Sequence, residues 1–129
     1  MAERTSRLNF RFSDEQEAFR LEIRAFLTEH LGSDWSGIDP DAYFHDENWP
    51  RVRQLTAKLA EQGWLTLAWP NEYGGQGRPA IDQMIYNEET AYFRAPTRDV
   101  SMGTELVGPT LMLYGSDEQK SRYLPEIAN

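Results

Sequence analysis

The chain carries at its centre the stretch Gly63-Trp64-Leu65-Thr66-Leu67-Ala68-Trp69-Pro70-Asn71-Glu72-Tyr73-Gly74-Gly75-Gln76-Gly77. Two tryptophans flank a short apolar run, a proline ends the run, and glycines dominate the last four positions. Glycine permits positive φ angles and close approach of the backbone to other groups. Helical periodicity is present on both sides of the stretch and absent inside it. We interpret it as a rigid, partly buried connector around which the flanking helices are arranged. The alternative is a loop that only turns the chain.

The composition is that of a small acidic domain. A chain of 129 residues is long enough for one domain with its own core. The absence of cysteine excludes disulfides, thiolate metal sites and cysteine nucleophiles. The net charge of −8 disfavours nucleic acid and anionic membranes as partners. No apolar run reaches the roughly 20 residues that span a bilayer, and the N-terminus lacks the apolar core of a signal peptide. We therefore expect a soluble cytoplasmic protein.

The rest of the pattern predicts an all-α fold, an up-and-down or orthogonal bundle of about five helices. Ser13 with Gln16, and Ser116 with Gln119, have the spacing of capping boxes that begin helices. Prolines near the starts of helices, and glycines or prolines after their ends, delimit the others. The predicted helices cover residues 14–31, about 50–62, about 80–95, 101–114 and 117 onward, the last ended or kinked by Pro125.

The charged side chains of these helices are predicted to lie on the surface. Arg20 and Arg24 fall on the face opposite the apolar stripe of the first helix. Glu88 and Glu89 are neighbours on the third helix, where adjacent side chains point about 100° apart and cannot share a site. The stripe predicted to bury this third helix consists of Ile81, Met84, Ile85, Ala91 and Tyr92. His45, beside two acidic residues, lacks the spacing of a metal site, so we expect no bound metal.

The fourth predicted helix is the most apolar. It carries Leu106, Val107, Leu111, Met112 and Leu113 with few polar positions, which predicts burial on most sides. Gly103, Gly108 and Pro109 interrupt it, and small residues in a buried helix let another group come close. That group could be a neighbouring helix or a flat or linear apolar ligand. Glu105, the one carboxylate of the segment, is explained by the positive end of the helix.

An ordered set of motifs resembles the N-terminal helical domain of the acyl-CoA dehydrogenase family. The set spans essentially the whole chain and consists of Phe12-Ser13-Asp14-Glu15-Gln16, Gly63-Trp64-Leu65, Trp69-Pro70-Asn71-Glu72-Tyr73-Gly74-Gly75-Gln76-Gly77, Asn87-Glu88-Glu89, Gly108-Pro109, Tyr114-Gly115-Ser116-Asp117-Glu118-Gln119-Lys120 and Tyr123-Leu124-Pro125-Glu126-Ile127-Ala128. The tryptophan–proline form is similar to bacterial branches, including ones that handle fatty, branched or steroid-side-chain thioesters.

The resemblance implies a larger, FAD-dependent enzyme. In the family, a helical N-terminal domain, a middle β domain and a C-terminal helical domain together oxidise the α,β C–C bond of an acyl-CoA to a trans-2-enoyl-CoA. The family's catalytic glutamate and most of its FAD contacts belong to the domains absent from this chain, so no catalytic or cofactor-binding residue is assigned here. The electron acceptor would be electron-transfer flavoprotein or a similar protein, and the full-length protein would form a homo- or hetero-oligomer.

This domain would then contribute one wall of the acyl pocket. The positions of the fourth helix to which that role is carried over are Met102, Leu106, Val107, Gly108 and Pro109. The apolar C-terminal end of the chain is also expected of a fragment of a longer protein. Two alternatives stay open. One is a relative of the same fold with another use, such as an oxidase or a non-catalytic partner subunit. The other is a free-standing helical interaction module.

Overall fold

The computed structural model describes residues 11–35 and 47–129, with the side chains of Arg98 and Asp99 set aside. All regular structure in these ranges is helical, and no strand occurs in them. The five helices are α1 (Asp14–Leu31), α2 (Trp49–Glu61), α3 (Ala80–Tyr92), α4 (residues 98–114) and α5 (Asp117–Ala128). Helix α4 consists of α-helical Arg98–Ser101, π-helical Met102–Val107 and α-helical Gly108–Tyr114. The prediction of an all-α fold with about five helices is confirmed.

Two capping boxes begin α1 and α5, as predicted. The Gln16 backbone N–H donates to the Ser13 hydroxyl, and the Ser13 backbone N–H donates to the Gln16 side chain. Ser116 and Gln119 repeat the arrangement. Each box satisfies two backbone donors that have no partner within the helix. Acidic residues in both first turns add a favourable interaction with the helix dipole.

The main core lies between α1, α2, α3 and the first half of the connector. Helix α1 contributes Phe19, Ile23, Leu27 and Leu31, and α2 contributes Val52, Leu55 and Leu59. Trp64 sits among them with edge-to-face ring contacts to Phe19, Phe26 and Tyr86. Gly63 precedes it at φ 69°, a left-handed conformation that glycine adopts without strain and that reverses the chain after α2.

A second, smaller core lies under the other end of the connector. It contains Trp69, Leu124 and Ala128, with Tyr73, Leu111, Met112 and Ile127 packed against them. The connector is compact because its glycine-rich end folds back on the segment before Pro70. The Gly77 N–H donates to the Trp69 carbonyl oxygen at 2.8 Å, and the Arg78 N–H donates to the Leu67 carbonyl oxygen at 2.9 Å. Residues 63–77 therefore join two packing clusters, which supports the interpretation as a partly buried connector.

The predicted end of the third helix is wrong, and Pro125, predicted to end or kink the last helix, does not end it. Helix α3 ends at Tyr92, short of the predicted residue 95, and the chain turns through Arg94 at φ 51°. Helix α5 continues through Pro125 to Ala128. Proline removes one backbone donor from a helix, and here the burial of Leu124 and Ala128 against the Trp69 cluster holds the last turn in place.

The predicted apolar stripe of α3 is only partly correct. Ile85 is fully buried, but Met84 and Ala91 are exposed and Tyr92 is 78% exposed. The buried face instead carries Tyr86, Glu89 and Thr90 next to Ile85. In this orientation the carboxylate of Glu89 meets two arginines of α1.

No helix in the described ranges combines the length and the apolarity needed to cross a bilayer. Residues 11–35 and 47–129 contain no group of three or more histidine or acidic side chains placed to hold a metal ion. His45, discussed above as a metal ligand, and the adjacent Asp46 lie outside the described residues.

Candidate functional site

A groove of about 1190 Å³ runs between α3 and α4, with the connector as its floor. Helix α3 presents Tyr86 and Thr90 to it, and the turn that follows presents Ala95 and Thr97. The other wall is α4, which contributes Val100, Thr104, Glu105, Pro109, Met112 and Leu113. The floor includes Leu65, Trp69 and Tyr73. The groove is thus a mainly apolar channel with a few polar side chains, the usual composition of a small-molecule site.

Trp69 fixes the position of α4 relative to the groove. Its indole N–H donates to the Thr104 carbonyl oxygen at 2.8 Å in a buried hydrogen bond. That oxygen needs an external donor. In the π-helical segment the Gly108 N–H bonds to the Gly103 carbonyl oxygen, and the residue five positions after Thr104 is Pro109, which has no N–H. The tryptophan therefore satisfies a buried acceptor that the helix itself leaves unpaired.

Gly108 is the point where Trp69 touches α4. A Cβ atom at this position would lie 2.1 Å from Cζ2 of the indole ring. The group that comes close to the small residues of α4 is therefore a connector side chain. Neither a neighbouring helix nor a ligand is needed to explain this glycine.

The five residues predicted to bind the acyl group lie in different environments. Pro109 lines the groove, and Gly108 is buried against Trp69. Met102, Leu106 and Val107 are exposed to 61%, 58% and 43% and do not line it. The prediction that α4 is buried on most sides is wrong for this chain, because these three residues together with Leu113 and Tyr114 form an exposed apolar surface. An apolar count cannot reveal which side of a helix lacks a neighbour.

Groove residues that the sequence did not single out come mainly from α3. Tyr86 is buried and lines the groove, while its ring also packs against Trp64. Burial raises the pKa of the Tyr86 phenol, and the negative charge of Glu105 raises it further. The phenol therefore keeps its proton at neutral pH. In the sequence, Tyr86 and Thr90 lie four residues apart, which places them on one face of α3, and this spacing is the feature that could have indicated the groove face.

Glu89 was predicted to be a surface charge and is instead buried, with 2% of its side chain exposed. Its Oε1 accepts from Arg20 Nη1 at 2.7 Å, and its Oε2 accepts from Arg24 Nε at 2.7 Å. Burial alone would raise the pKa of Glu89, but the hydrogen bonds from Arg24 and Arg20 outweigh that effect and hold the pKa below its ordinary value. The prediction of a solvated face also fails for Arg20, which is 14% exposed. Both carboxylate oxygens are occupied, so the cluster joins α1 to α3 and does not act as a base.

The glycine-rich end of the connector does not form a phosphate-binding loop. The Gly74, Gly75 and Gly77 N–H groups donate to the carbonyl oxygens of Asn71, Pro70 and Trp69. A Cβ at Gly75 would lie 2.0 Å from the Trp69 carbonyl oxygen, so this glycine serves the packing of the connector on itself. A loop that binds phosphate needs free N–H groups directed at the ligand. The loop therefore does not fit the phosphates of a flavin dinucleotide.

The comparison with protein families decides the assignment. The model of the acyl-CoA dehydrogenase N-terminal domain matches residues 13–129. The chain belongs to the acyl-CoA dehydrogenase family. The resemblance drawn from the sequence motifs is thereby confirmed.

Individual relatives agree with this family. The chain is 49% identical over 121 residues to the acyl-CoA dehydrogenase FadE26 of Mycobacterium tuberculosis, covering 91% of this chain and 29% of the relative. It is 36% identical over 116 residues to the acyl-CoA dehydrogenase IpdE1 of Mycolicibacterium smegmatis, covering 88% of this chain and 29% of that relative. The chain thus spans less than a third of the length of these relatives.

Two solved structures share the fold. The ChsE4-ChsE5 complex from Mycobacterium tuberculosis matches with a TM-score of 0.77 and 36% identity, over 94% of this chain and 29% of that one. The Tcur3481-Tcur3483 steroid ACAD matches with a TM-score of 0.79 and 32% identity, over 94% of this chain and 30% of that one. Both structures are similar to the present chain in sequence and in helix arrangement.

Proposed function

We propose that this domain forms one wall of the acyl pocket in an FAD-dependent acyl-CoA dehydrogenase, which oxidises the α,β C–C bond of an acyl-CoA to a trans-2-enoyl-CoA. The observation that carries the proposal is the groove of about 1190 Å³ between α3 and α4. It is large enough for a substantial acyl group, and its apolar side chains favour burial of such a group by about 25 cal/mol per Å² of apolar surface. Membership of the acyl-CoA dehydrogenase family supports the choice of ligand.

Under this proposal the acyl group would contact particular residues of the groove. Pro109 is the residue of the predicted set that lines it, and Val100, Met112 and Leu113 extend the same wall. Met102, Leu106 and Val107 remain proposed substrate contacts, on condition that the ligand or another part of the protein reaches the outer face of α4. Gly108 acts indirectly, because it allows Trp69 to hold the wall in place.

The flavin would be held mainly by parts of the protein outside this chain. Family membership implies FAD, which accepts the hydride when bound. The glycine-rich end of the connector does not fit its phosphates, since the N–H groups of Gly74, Gly75 and Gly77 are already bonded within the connector. We therefore assign no catalytic or flavin-binding residue to this chain. Electron-transfer flavoprotein or a similar protein is the proposed acceptor of the electrons.

The relatives favour a particular substrate class and a partner. One structural relative is a steroid ACAD, so we propose a thioester with a bulky, ring-containing acyl group as the substrate. Both solved relatives are pairs of different subunits by their names, which favours a hetero-oligomer. The second candidate function follows from this: the full-length protein could be the non-catalytic subunit of such a pair.

The test is the visible spectrum of the full-length protein, expressed with its partner subunit, before and after anaerobic addition of acyl-CoAs. We expect a flavin band that bleaches with one thioester class. A protein without bound flavin would contradict the dehydrogenase, and a flavin that resides wholly on the partner subunit would favour the second candidate.

A pair of variants tests the groove itself. Ala91 lines the groove and is exposed, so Ala91→Trp would narrow it without disturbing the core. Ala57, exposed on α2 and away from the groove, provides the matched control Ala57→Trp. We expect Ala91→Trp to raise the KM for bulky thioesters about tenfold or more, the effect of losing roughly 1.4 kcal/mol of binding, while Ala57→Trp leaves it unchanged. Equal effects of the two variants would contradict the assignment.

A further inference from the structure

Most polar side chains of the groove already have hydrogen-bond partners within the protein. The Thr90 hydroxyl donates to the Tyr86 carbonyl oxygen at 2.9 Å, and the Thr104 hydroxyl donates to the Val100 carbonyl oxygen at 3.1 Å. The Gln83 amide donates to the Asn87 side-chain oxygen at 2.9 Å. These interactions are explained by the fold, and they point to no ligand.

The Tyr86 hydroxyl is different. The side chain is 6% exposed and lines the groove, and its hydroxyl makes no hydrogen bond within residues 11–35 and 47–129, the side chains of Arg98 and Asp99 apart. A buried phenol usually has a partner, because leaving it unpaired costs about 1–3 kcal/mol. Its ring is held from behind by Trp64, with the ring centroids 6.4 Å apart. The unpaired donor is therefore fixed in position at the groove.

Glu105 stands on the opposite wall. It is exposed and lines the same groove from α4, and its carboxylate makes neither a hydrogen bond nor an ion pair with the described side chains, which do not include those of Arg98 and Asp99. Among the lining residues, Tyr86 thus offers a buried donor on α3 and Glu105 an exposed acceptor on α4.

We propose that Tyr86 and Glu105 select an acyl-CoA that carries a hydroxyl group on its otherwise apolar acyl part. Tyr86 would donate a hydrogen bond to the hydroxyl oxygen, and Glu105 would accept one from the hydroxyl proton. A ketone could accept from Tyr86 but offers Glu105 no proton, and a methylene group leaves both residues unpaired. This inference rests on the proposed function, because it uses the same groove.

The test compares CoA thioesters of one fused-ring acid that are identical except at a single ring position, which carries a hydroxyl, a ketone or a methylene. The set is made for several ring positions remote from the thioester. Dissociation constants are measured by calorimetry, and kcat/KM by flavin reduction, on the full-length protein. We expect the hydroxyl compound at one position to be preferred over the methylene compound by about tenfold or more, since a site that hydrogen-bonds a substrate hydroxyl discriminates against its absence.

The variants separate the two residues. Tyr86→Phe keeps the ring contact with Trp64 and should abolish the preference for hydroxyl over methylene without lowering thermal stability, because it removes a buried hydroxyl that has no partner. Glu105→Gln should reduce the preference for hydroxyl over ketone. The matched control is Tyr92→Phe, which removes a phenol hydroxyl from the exposed part of the same helix and should change neither preference.

The outcomes distinguish this inference from the function on which it rests. Equal dissociation constants for all compounds at every position would overturn it, as would an undiminished hydroxyl preference in Tyr86→Phe, even with all compounds oxidised. If no thioester reduces a flavin, the proposed function fails, and the calorimetric comparison still decides whether the groove prefers a hydroxyl.

Discussion

Trp64 and Trp69 lie five residues apart in one connector, yet they stabilise regions of opposite character. Trp64 completes a closed core of α1, α2 and α3, where its ring meets three other aromatic rings. Trp69 holds α4 by one hydrogen bond and one close contact, and α4 leaves Met102, Leu106 and Leu113 exposed. The first region is packed to hold the domain together. The second supports a helix whose exposed apolar side chains are available to other groups.

Truncation of each tryptophan in the full-length protein tests whether the two residues stabilise different regions, and it is expected to give the largest effect. Loss of a buried tryptophan costs about 3–5 kcal/mol. We expect Trp64→Ala to speed amide hydrogen exchange throughout α1 and α3, and Trp69→Ala to speed it in α4 while α1 stays protected. Peptide-resolved exchange followed by mass spectrometry measures both. Identical exchange patterns in the two variants would mean that the domain has one cooperative region.

A second prediction concerns the charge cluster that joins α1 to α3. Removing one partner of a buried ion pair costs about 3–5 kcal/mol, and we expect about 2–3 for Glu89→Ala because Arg24 is 48% exposed and can be hydrated. Glu88→Ala is the matched control. Its carboxylate is 51% exposed, and exposed pairs are worth at most about 1 kcal/mol. Thermal unfolding of the full-length variants gives the order of the two effects, and a larger loss for Glu88→Ala would contradict the assignment.

The same cluster predicts a pH dependence. The pKa of Glu89 is lowered in the folded protein, so its ionised form binds the arginines and contributes stability above the ordinary glutamate pKa of about 4.3. That contribution is lost as the pH falls below this value and through the folded pKa. We expect the acid-side decrease in stability to be shallower in Glu89→Gln than in the parent protein.

A smaller effect is expected from Gly108→Ala. The added methyl would meet the Trp69 ring at 2.1 Å, so the ring must move and weaken its hydrogen bond to Thr104. Overpacking of this kind costs about 1–3 kcal/mol. At Gly103 a Cβ would lie 3.3 Å from the Ile127 side chain, so Gly103→Ala serves as a milder control on the same helix. If both variants retain parental stability and fast exchange in α4 does not appear, Trp69 does not position this wall.

The helices could be predicted from sequence because their signals are local. Both capping boxes lie within four residues, and Gly63 directly follows the last periodic positions of α2. The family, too, could be read from the order of short motifs such as Trp69 to Gly77. These features depend little on how the helices pack on one another.

The features that failed depend on distant partners. The arginines that bury Glu89 stand 65 and 69 residues before it, and the hydrogen bond from Trp69 to Thr104 crosses 35 residues. Likewise, the apolar residues of α4 predicted a buried helix but not which of its faces would lack a neighbour. Tyr86 was not singled out because its place in the groove depends on how α3 packs in the fold, which the sequence of the helix alone does not determine.

We propose that the groove between α3 and α4 receives the acyl group. A structure of the full-length protein with a bound acyl-CoA would show whether it does. We predict that the acyl group lies between the two helices, within about 4 Å of Pro109 and Met112, the distance of an apolar contact. An acyl group bound elsewhere, with this groove filled by another segment of the protein, would contradict the account.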